Sequence, residues 1–324
     1  MAAPLRVALV GAGSMGSLHA RVISGHEATV LTTVVDASPD AGKAVADRFG
    51  ATWAADLDGL GDVDAVVVAA ATEVHHLLGL QVLDRGLPLL MEKPLADSLA
   101  HSEDLVLRAA KSDTPLMCGL LERYNPGIVT AMQVLGEPLH ITAQRHSPYV
   151  ARIRTGVASD LLIHDVDIVI RMMGAEPTTV EGSLGYLHPE SAEGSEDVAE
   201  TMLSFDKNNA VANISASRMS QRKVRGFVVS ELERLIEIDM LRNAVTIYRH
   251  VLGENTEDGL SYKQQTIIEI PQLVTNREPL AAQLDRFVAL ARGEVDAAEE
   301  REGILPAHRV VETVRDRARA TARA

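Results

Sequence analysis

Asp160, His164, Asp165 and Asp167 crowd into one short and otherwise apolar stretch, Asp160-Leu161-Leu162-Ile163-His164-Asp165-Val166-Asp167. Read as a helix, the stretch sets Asp160, His164 and Asp167 on one face at intervals of four and three, with Asp165 turned elsewhere. Acids inside an apolar helix are costly to bury without partners. A carboxylate beside an imidazole can fix its tautomer and basicity, which suits removal of a proton from an alcohol. Local capping around a packed histidine is the plainer alternative. Asp and His together could also suggest a metal site, but no further ligand stands close by, and none is expected.

A second chemical group is Glu92-Lys93-Pro94, directly after the apolar run Leu87 to Met91. At the carboxyl edge of a parallel sheet, where ligands bind, a lysine could anchor a nicotinamide ribose or a substrate hydroxyl. Glu92 could restrain that lysine, and Pro94 fixes the following turn. A surface ion pair beside a turn would need the same residues. The third group is Gly11-Ala12-Gly13-Ser14-Met15-Gly16, which ends the apolar run Leu5 to Val10 and opens a helix. Such a turn brings backbone N–H groups up to a dinucleotide diphosphate. The next apolar run, Val30 to Val35, ends in Asp36, about 20 residues beyond the glycines, where an acid meets the ribose hydroxyls. Asp36 would repel a 2'-phosphate, so NAD is expected over NADP. Of His75 and His76, one can point toward the cofactor and the other meets solvent.

Arginine is the remaining candidate chemistry. Arg123, Arg145, Arg152 and Arg154, with Tyr124, Asn125 and Tyr149 near them, could hold a phosphate bidentately within an acidic protein. Solvated side chains are the plainer reading of any one of them. Cys118 sits in Pro115-Leu116-Met117-Cys118-Gly119, a short buried strand, and reads as a structural thiol.

These residues need a scaffold, and the hydrophobic pattern supplies one. Ala65 to Ala70 is apolar without alternation, as in a parallel strand covered on both faces. Strands and helices alternate with short connections as far as Cys118, the doubly wound arrangement. After Pro177 the chain becomes strand-rich, with alternating runs over 180–187, 200–205, 210–216, 223–231, 234–239, 244–251 and 266–270 that suggest a sheet covered on one face. The expected organisation is α/β: a Rossmann domain over 1–121, and a substrate-binding and oligomerisation domain over 122–305 built on a large, mostly antiparallel mixed sheet. A C-terminal helix over 306–324 can return to the first domain. The formal charge of −14 across 324 residues disfavours nucleic acid. No apolar run reaches membrane-spanning length, no signal sequence opens the chain, and one cysteine fits a reducing, cytoplasmic setting.

Taken together, the glycine turn with His19, Thr72 with His75, Glu92-Lys93-Pro94 and the Asp160–Asp167 stretch resemble the Gfo/Idh/MocA oxidoreductases over nearly the whole chain. The resemblance implies Lys93, Asp160 and His164 as the catalytic group. It also implies a cofactor site of Gly11, Gly13, Ser14, Met15, Gly16, Asp36, Ala70, Thr72, His75, Glu92 and Lys93. Ala71 departs from the proline that many relatives carry there. Glu122-Arg123-Tyr124-Asn125-Pro126 adds a narrower likeness to the UDP-N-acetylglucosamine 3-dehydrogenase-like branch. Arg123, Tyr124, Asn125, Arg152 and Arg154 would then serve a nucleotide sugar together with Lys93, Asp160 and His164. The implied activity is NAD-dependent hydride transfer at a secondary hydroxyl or ketone of a sugar, in a homodimer or homotetramer. A cyclitol or free-sugar dehydrogenase is the alternative, and a dinucleotide-binding protein without turnover a further one.

Overall fold

The computed structural model describes residues 3–151, 153–192, 194–252 and 264–323. The chain runs β1 (Leu5–Val10), α1 (Ser14–Gly25), β2 (Thr29–Val35), α2 (Pro39–Phe49), β3 (Thr52–Ala54), β4 (Ala65–Val68), α3 (His75–Asp84), β5 (Leu89–Glu92), α4 (Leu99–Lys111) and β6 (Leu116–Gly119). These strands form one six-stranded sheet in the order β3-β2-β1-β4-β5-β6, and every pairing in it is parallel. Residues Val66, Val67 and Val68 are fully buried, as a strand lacking polar alternation requires. Helix starts and stops follow local chemistry. Ser38 accepts the Ala41 N–H ahead of Pro39, and Gly50 closes α2 with φ of 70°.

The chain continues through α5 (Pro126–Val134), β7 (His140–His146), α6 (Ile163–Met173), β8 (Thr179–Gly185), β9 (Val198–Ser204), β10 (Val211–Ser217), β11 (Val224–Ser230), β12 (Leu235–Asp239), β13 (Ala244–Leu252) and β14 (Gln264–Glu269). An eight-stranded sheet results, in the order β14-β13-β12-β11-β7-β10-β9-β8. The β7–β10 pair is parallel and the other pairings are antiparallel. Ile141, Ala143, Phe227, Val229, Ile236 and Ile238 are buried, while the alternating Thr142, Gln144, Val228 and Glu237 are not. Helices α5 and α6 pack on this sheet. The chain ends with α7 (Pro279–Ala291), α8 (Ala297–Glu302) and α9 (Leu305–Arg323).

Two compact units emerge. One takes the chain up to Leu121 together with Glu278–Arg309, and the other takes Glu122–Arg277 with the chain from Val310 on. This differs from a simple division at 121 and 305, because α7 and α8 rejoin the first unit. His26 Nε2 lies 2.7 Å from Asp285 Oδ1, and the Leu95 N–H donates to His308 Nε2 at 3.0 Å. Such contacts join residues far apart in the chain and leave no local trace. Strand β3 and helix α8 are likewise short elements without a periodic signature.

Candidate active site

In the first unit the glycine turn is shaped by close approach. Gly11 has φ of 97°, and a Cβ there would stand 2.6 Å from the Ala69 carbonyl oxygen. A Cβ on Gly16 would stand 1.9 Å from the Gly11 oxygen, so α1 could not begin this near β1 with any other residue. Gly13, by contrast, faces open space. It is the N-cap of α1, without a side-chain cap, so the helix presents backbone N–H groups suited to an anion. Asp36 at the end of β2 accepts the Ala12 N–H at 2.7 Å and the Ser38 N–H at 2.8 Å. Trp53 Nε1–H donates to the Asp36 carbonyl at 3.1 Å, a support that sequence spacing does not reveal.

At the end of β5, Glu92 is buried and bonded rather than paired across a surface. His19 Nε2 lies 2.8 Å from its Oε1, and the Lys93 N–H donates to its Oε2 at 3.2 Å. The Lys93–Pro94 peptide is cis. His75 is only 1% exposed. Its Nδ1 lies 3.0 Å from the Pro94 carbonyl and its Nε2 3.1 Å from that of Ala70. Both nitrogens thus face the protein's own backbone, which ties the turn after β4 to the turn after β5. Thr72 opens a short 3-10 turn ahead of α3.

In the second unit the Asp160–Asp167 stretch is not one regular helix. Ala158–Leu162 is a π-turn and α6 begins at Ile163. Asp167 is buried in a bidentate pair with Arg123, at 2.8 and 2.6 Å. Asp165 is buried against Arg145, whose Nη2 lies 2.6 Å from its Oδ1, while Arg145 Nη1 donates to Glu122 Oε1 at 2.6 Å. Burial works against the charge on Arg145, yet the Asp165 and Glu122 carboxylates outweigh it and hold the guanidinium above its ordinary pKa. Asp160 and His164 remain half-buried. Asp167 is thus held by Arg123 and is more deeply buried than Asp160 and His164.

The same pairs revise the expected phosphate arginines. Arg123 pairs through Nε and Nη2 with Asp167, and Arg145 pairs with Asp165 and Glu122, so both are held within the unit by carboxylates. Asn125 is buried and its Oδ1 accepts the Gly127 N–H at 2.9 Å, capping α5. Tyr124 is half-buried and Arg154 exposed. Arg152 lies outside the described residues. Tyr149 stacks on His188 with ring centroids 3.5 Å apart. Among the described residues no group of His, Cys, Asp or Glu is arranged to hold a metal, and no helix is long and apolar enough to cross a membrane.

A six-stranded doubly wound sheet, a glycine turn opening α1 and an acid ending β2 define a dinucleotide-binding Rossmann protein. Residues 5–120 match the oxidoreductase family with NAD-binding Rossmann fold, and residues 129–234 match the GFO/IDH/MocA C-terminal domain. UDP-N-acetylglucosamine 3-dehydrogenase of Acidithiobacillus ferrooxidans is 26% identical over 287 residues, covering 88% of each chain. Its solved structure superposes with a TM-score of 0.82 at 24% identity, over 97% of this chain and 96% of that one. A myo-inositol dehydrogenase of Streptomyces leeuwenhoekii is 31% identical over 229 residues, 66% of this chain and 70% of its own. A structure of GenD2 from gentamicin A biosynthesis, in complex with NAD, gives a TM-score of 0.81 at 25% identity, over 98% and 95% of the two chains. The chain belongs to the Gfo/Idh/MocA oxidoreductases.

Proposed function

We propose that this protein is an NAD-dependent dehydrogenase or ketoreductase acting on a secondary hydroxyl or ketone of a sugar. The substrate we favour is a nucleotide sugar such as UDP-N-acetylglucosamine, at C3. The first unit serves the cofactor and the second the substrate. The observation that carries the catalytic reading is the sorting of acids along one stretch: Asp165 and Asp167 are buried against arginines, while Asp160 on the π-turn and His164 in the first turn of α6 stay half-buried. A π-turn disrupts the regular ladder and is found often at functional sites.

The dinucleotide fits the residues present. The open space beside Gly13 suits a diphosphate, with Ser14, Met15 and Gly16 opening the helix whose N-terminus faces it. Asp36 retains lone pairs for ribose hydroxyls after accepting two backbone N–H groups. Ala70, Thr72, Glu92 and Lys93 line the turns after β4 and β5. Bound NAD supplies the hydride acceptor. His164 takes the hydroxyl proton, Lys93 aligns and polarises that hydroxyl, and Asp160 supports charge on His164. Tyr124, Arg152 and Arg154 remain the further substrate-binding candidates.

A screen of the purified protein with NAD and NADP against nucleotide sugars, free sugars and cyclitols, read at the nicotinamide absorbance, tests this. Turnover of UDP-N-acetylglucosamine with NAD is the expected result. Turnover confined to cyclitols would favour the second reading, which the 31% identity to an inositol dehydrogenase supports. NAD binding without turnover of any substrate would overturn both in favour of a non-catalytic dinucleotide-binding protein.

A further inference from the structure

Arg218 stands just beyond the end of β10 and is 3% exposed. Its Nη2 donates to Asp160 Oδ2 at 3.1 Å. Guanidinium keeps its proton throughout the physiological range, so this is a fixed cation beside a carboxylate that is itself 23% exposed. We propose that Arg218 is a positioning residue for the reaction: it holds Asp160 ionised and in place on the π-turn, and so sets how basic His164 is. This rests on the reading of Asp160 and His164 given above.

Both ends of the pair are fastened to the same dipeptide. Glu196 accepts the Val157 N–H through its carbonyl at 3.0 Å and the Ala158 N–H through Oε1 at 2.8 Å, which anchors the start of the π-turn. Asp197 accepts the Arg218 N–H through its carbonyl at 2.9 Å. Its carboxylate is fully buried and accepts the Leu187 and His188 N–H groups, each at 2.8 Å, and the Ser191 hydroxyl at 2.5 Å. Gly156 leaves room for Glu196, since a Cβ there would stand 2.1 Å from its Oε2. The strand entrance before β9 thus fixes the turn that carries Asp160 and the backbone that carries Arg218.

Among the described residues, the charged and titratable groups carried by the elements packed against the turn include Arg218 after β10, Glu196 and Asp197 before β9, Glu200 on β9, and His164, Asp165, Asp167 and Arg171 on α6. Asp165 is neutralised by Arg145 and Glu196 is bonded to the turn's own backbone. Asp160 and Arg218 therefore act on the imidazole with opposite sign. The carboxylate favours its protonated form, and the guanidinium tempers that pull.

The test is the protonation of His164 in the full chain, followed by NMR of 13C-labelled histidine and assigned through His164→Asn. Arg218→Gln should raise the titration midpoint by about half a unit or more, and Asp160→Asn should lower it. Arg218→Lys, which keeps the charge, should stay near wild type. Turnover on UDP-N-acetylglucosamine or myo-inositol with NAD should fall by roughly tenfold or more in Arg218→Gln, with little change in KM for NAD. An unmoved midpoint in a folded Arg218→Gln protein overturns the proposal. Should that variant not fold, Asp160→Asn combined with Arg218→Met carries the test. Its midpoint should lie above that of Asp160→Asn alone, because the guanidinium's own repulsion of the imidazolium is gone, and an unmoved midpoint overturns the proposal. A midpoint that moves as expected while His164→Asn keeps wild-type turnover would overturn the catalytic reading and leave the pairing intact.

Discussion

Asp36 has two tasks that one substitution separates. Its carboxylate accepts N–H groups from Ala12 and Ser38, and in the proposed complex it also accepts the ribose hydroxyls. Asp36→Ala removes the acceptor and relieves repulsion of a 2'-phosphate. NAD affinity should therefore fall by about 10- to 100-fold, the range for a charged hydrogen bond, and NADP affinity should fall less. Titration of both cofactors by calorimetry checks this, and a wild-type protein that already prefers NADP would contradict it. For Lys93 and His164 the prediction concerns rate. Lys93→Met and His164→Asn should each keep the fold and much of the NAD binding while losing roughly 100-fold or more in turnover. Near-wild-type turnover of His164→Asn under saturating conditions would return His164 to a packing role and leave Lys93 as the leading proton-handling group.

The elements around α6 show where local spacing stops being informative. Regular helical spacing groups Asp167 with Asp160 and His164, but the i→i+5 turn over Ala158–Leu162 breaks the regularity that such spacing assumes. The partners of Asp165 and Asp167 lie on other elements, Arg145 on β7 and Arg123 in the turn before α5. No periodicity marks them. The acids and arginines were visible in the sequence as chemistry, and only their pairing was hidden. That pairing has a stability consequence. Arg145→Met leaves Asp165 buried without its paired guanidinium, and Glu122 facing Arg225 Nη1 at 3.6 Å, and should cost about 3–5 kcal/mol, measurable as a lower urea midpoint. Asp197 adds a pH term. Burial alone would raise its carboxyl, but the His188 N–H, the Ser191 hydroxyl, the Leu187 N–H and Arg218 together hold it below the usual range. Its contribution is present above the unfolded carboxylate value near ~4 and is lost as pH falls through the lower folded value. Asp197→Asn should therefore lower stability at neutral pH by roughly 1–3 kcal/mol and flatten the acid side of the stability profile.

Across the whole chain, the pattern of apolar runs was enough for the architecture. Unbroken Ala65 to Val68 reads as a strand buried on both faces, and the later alternating runs read as a sheet with one covered side. Pairing order is a different matter, since nothing local in His140–His146 announces that it runs parallel to Val211–Ser217. The same alternation leads to the assembly prediction. The face of the eight-stranded sheet opposite α5 and α6 carries Thr142, Gln144, Val228 and Glu237, with a groove of about 450 Å3 bordered by Arg225, Val228 and Asp239. On this face Met202 on β9 is 39% exposed and Ile268 on β14, paired with Tyr248, 58%. A broad sheet with apolar side chains on an uncovered face is suited to a second copy of itself, and closed symmetric pairing would also shelter the β14 edge. We therefore expect a homodimer or homotetramer joined mainly through this face. Val228→Glu and Met202→Glu introduce charge there without touching the buried face, so each should shift sedimentation toward a smaller species while NAD binding persists. A wild-type protein that sediments as a monomer at high concentration would rule this assembly out, and so would variants that keep the wild-type mass.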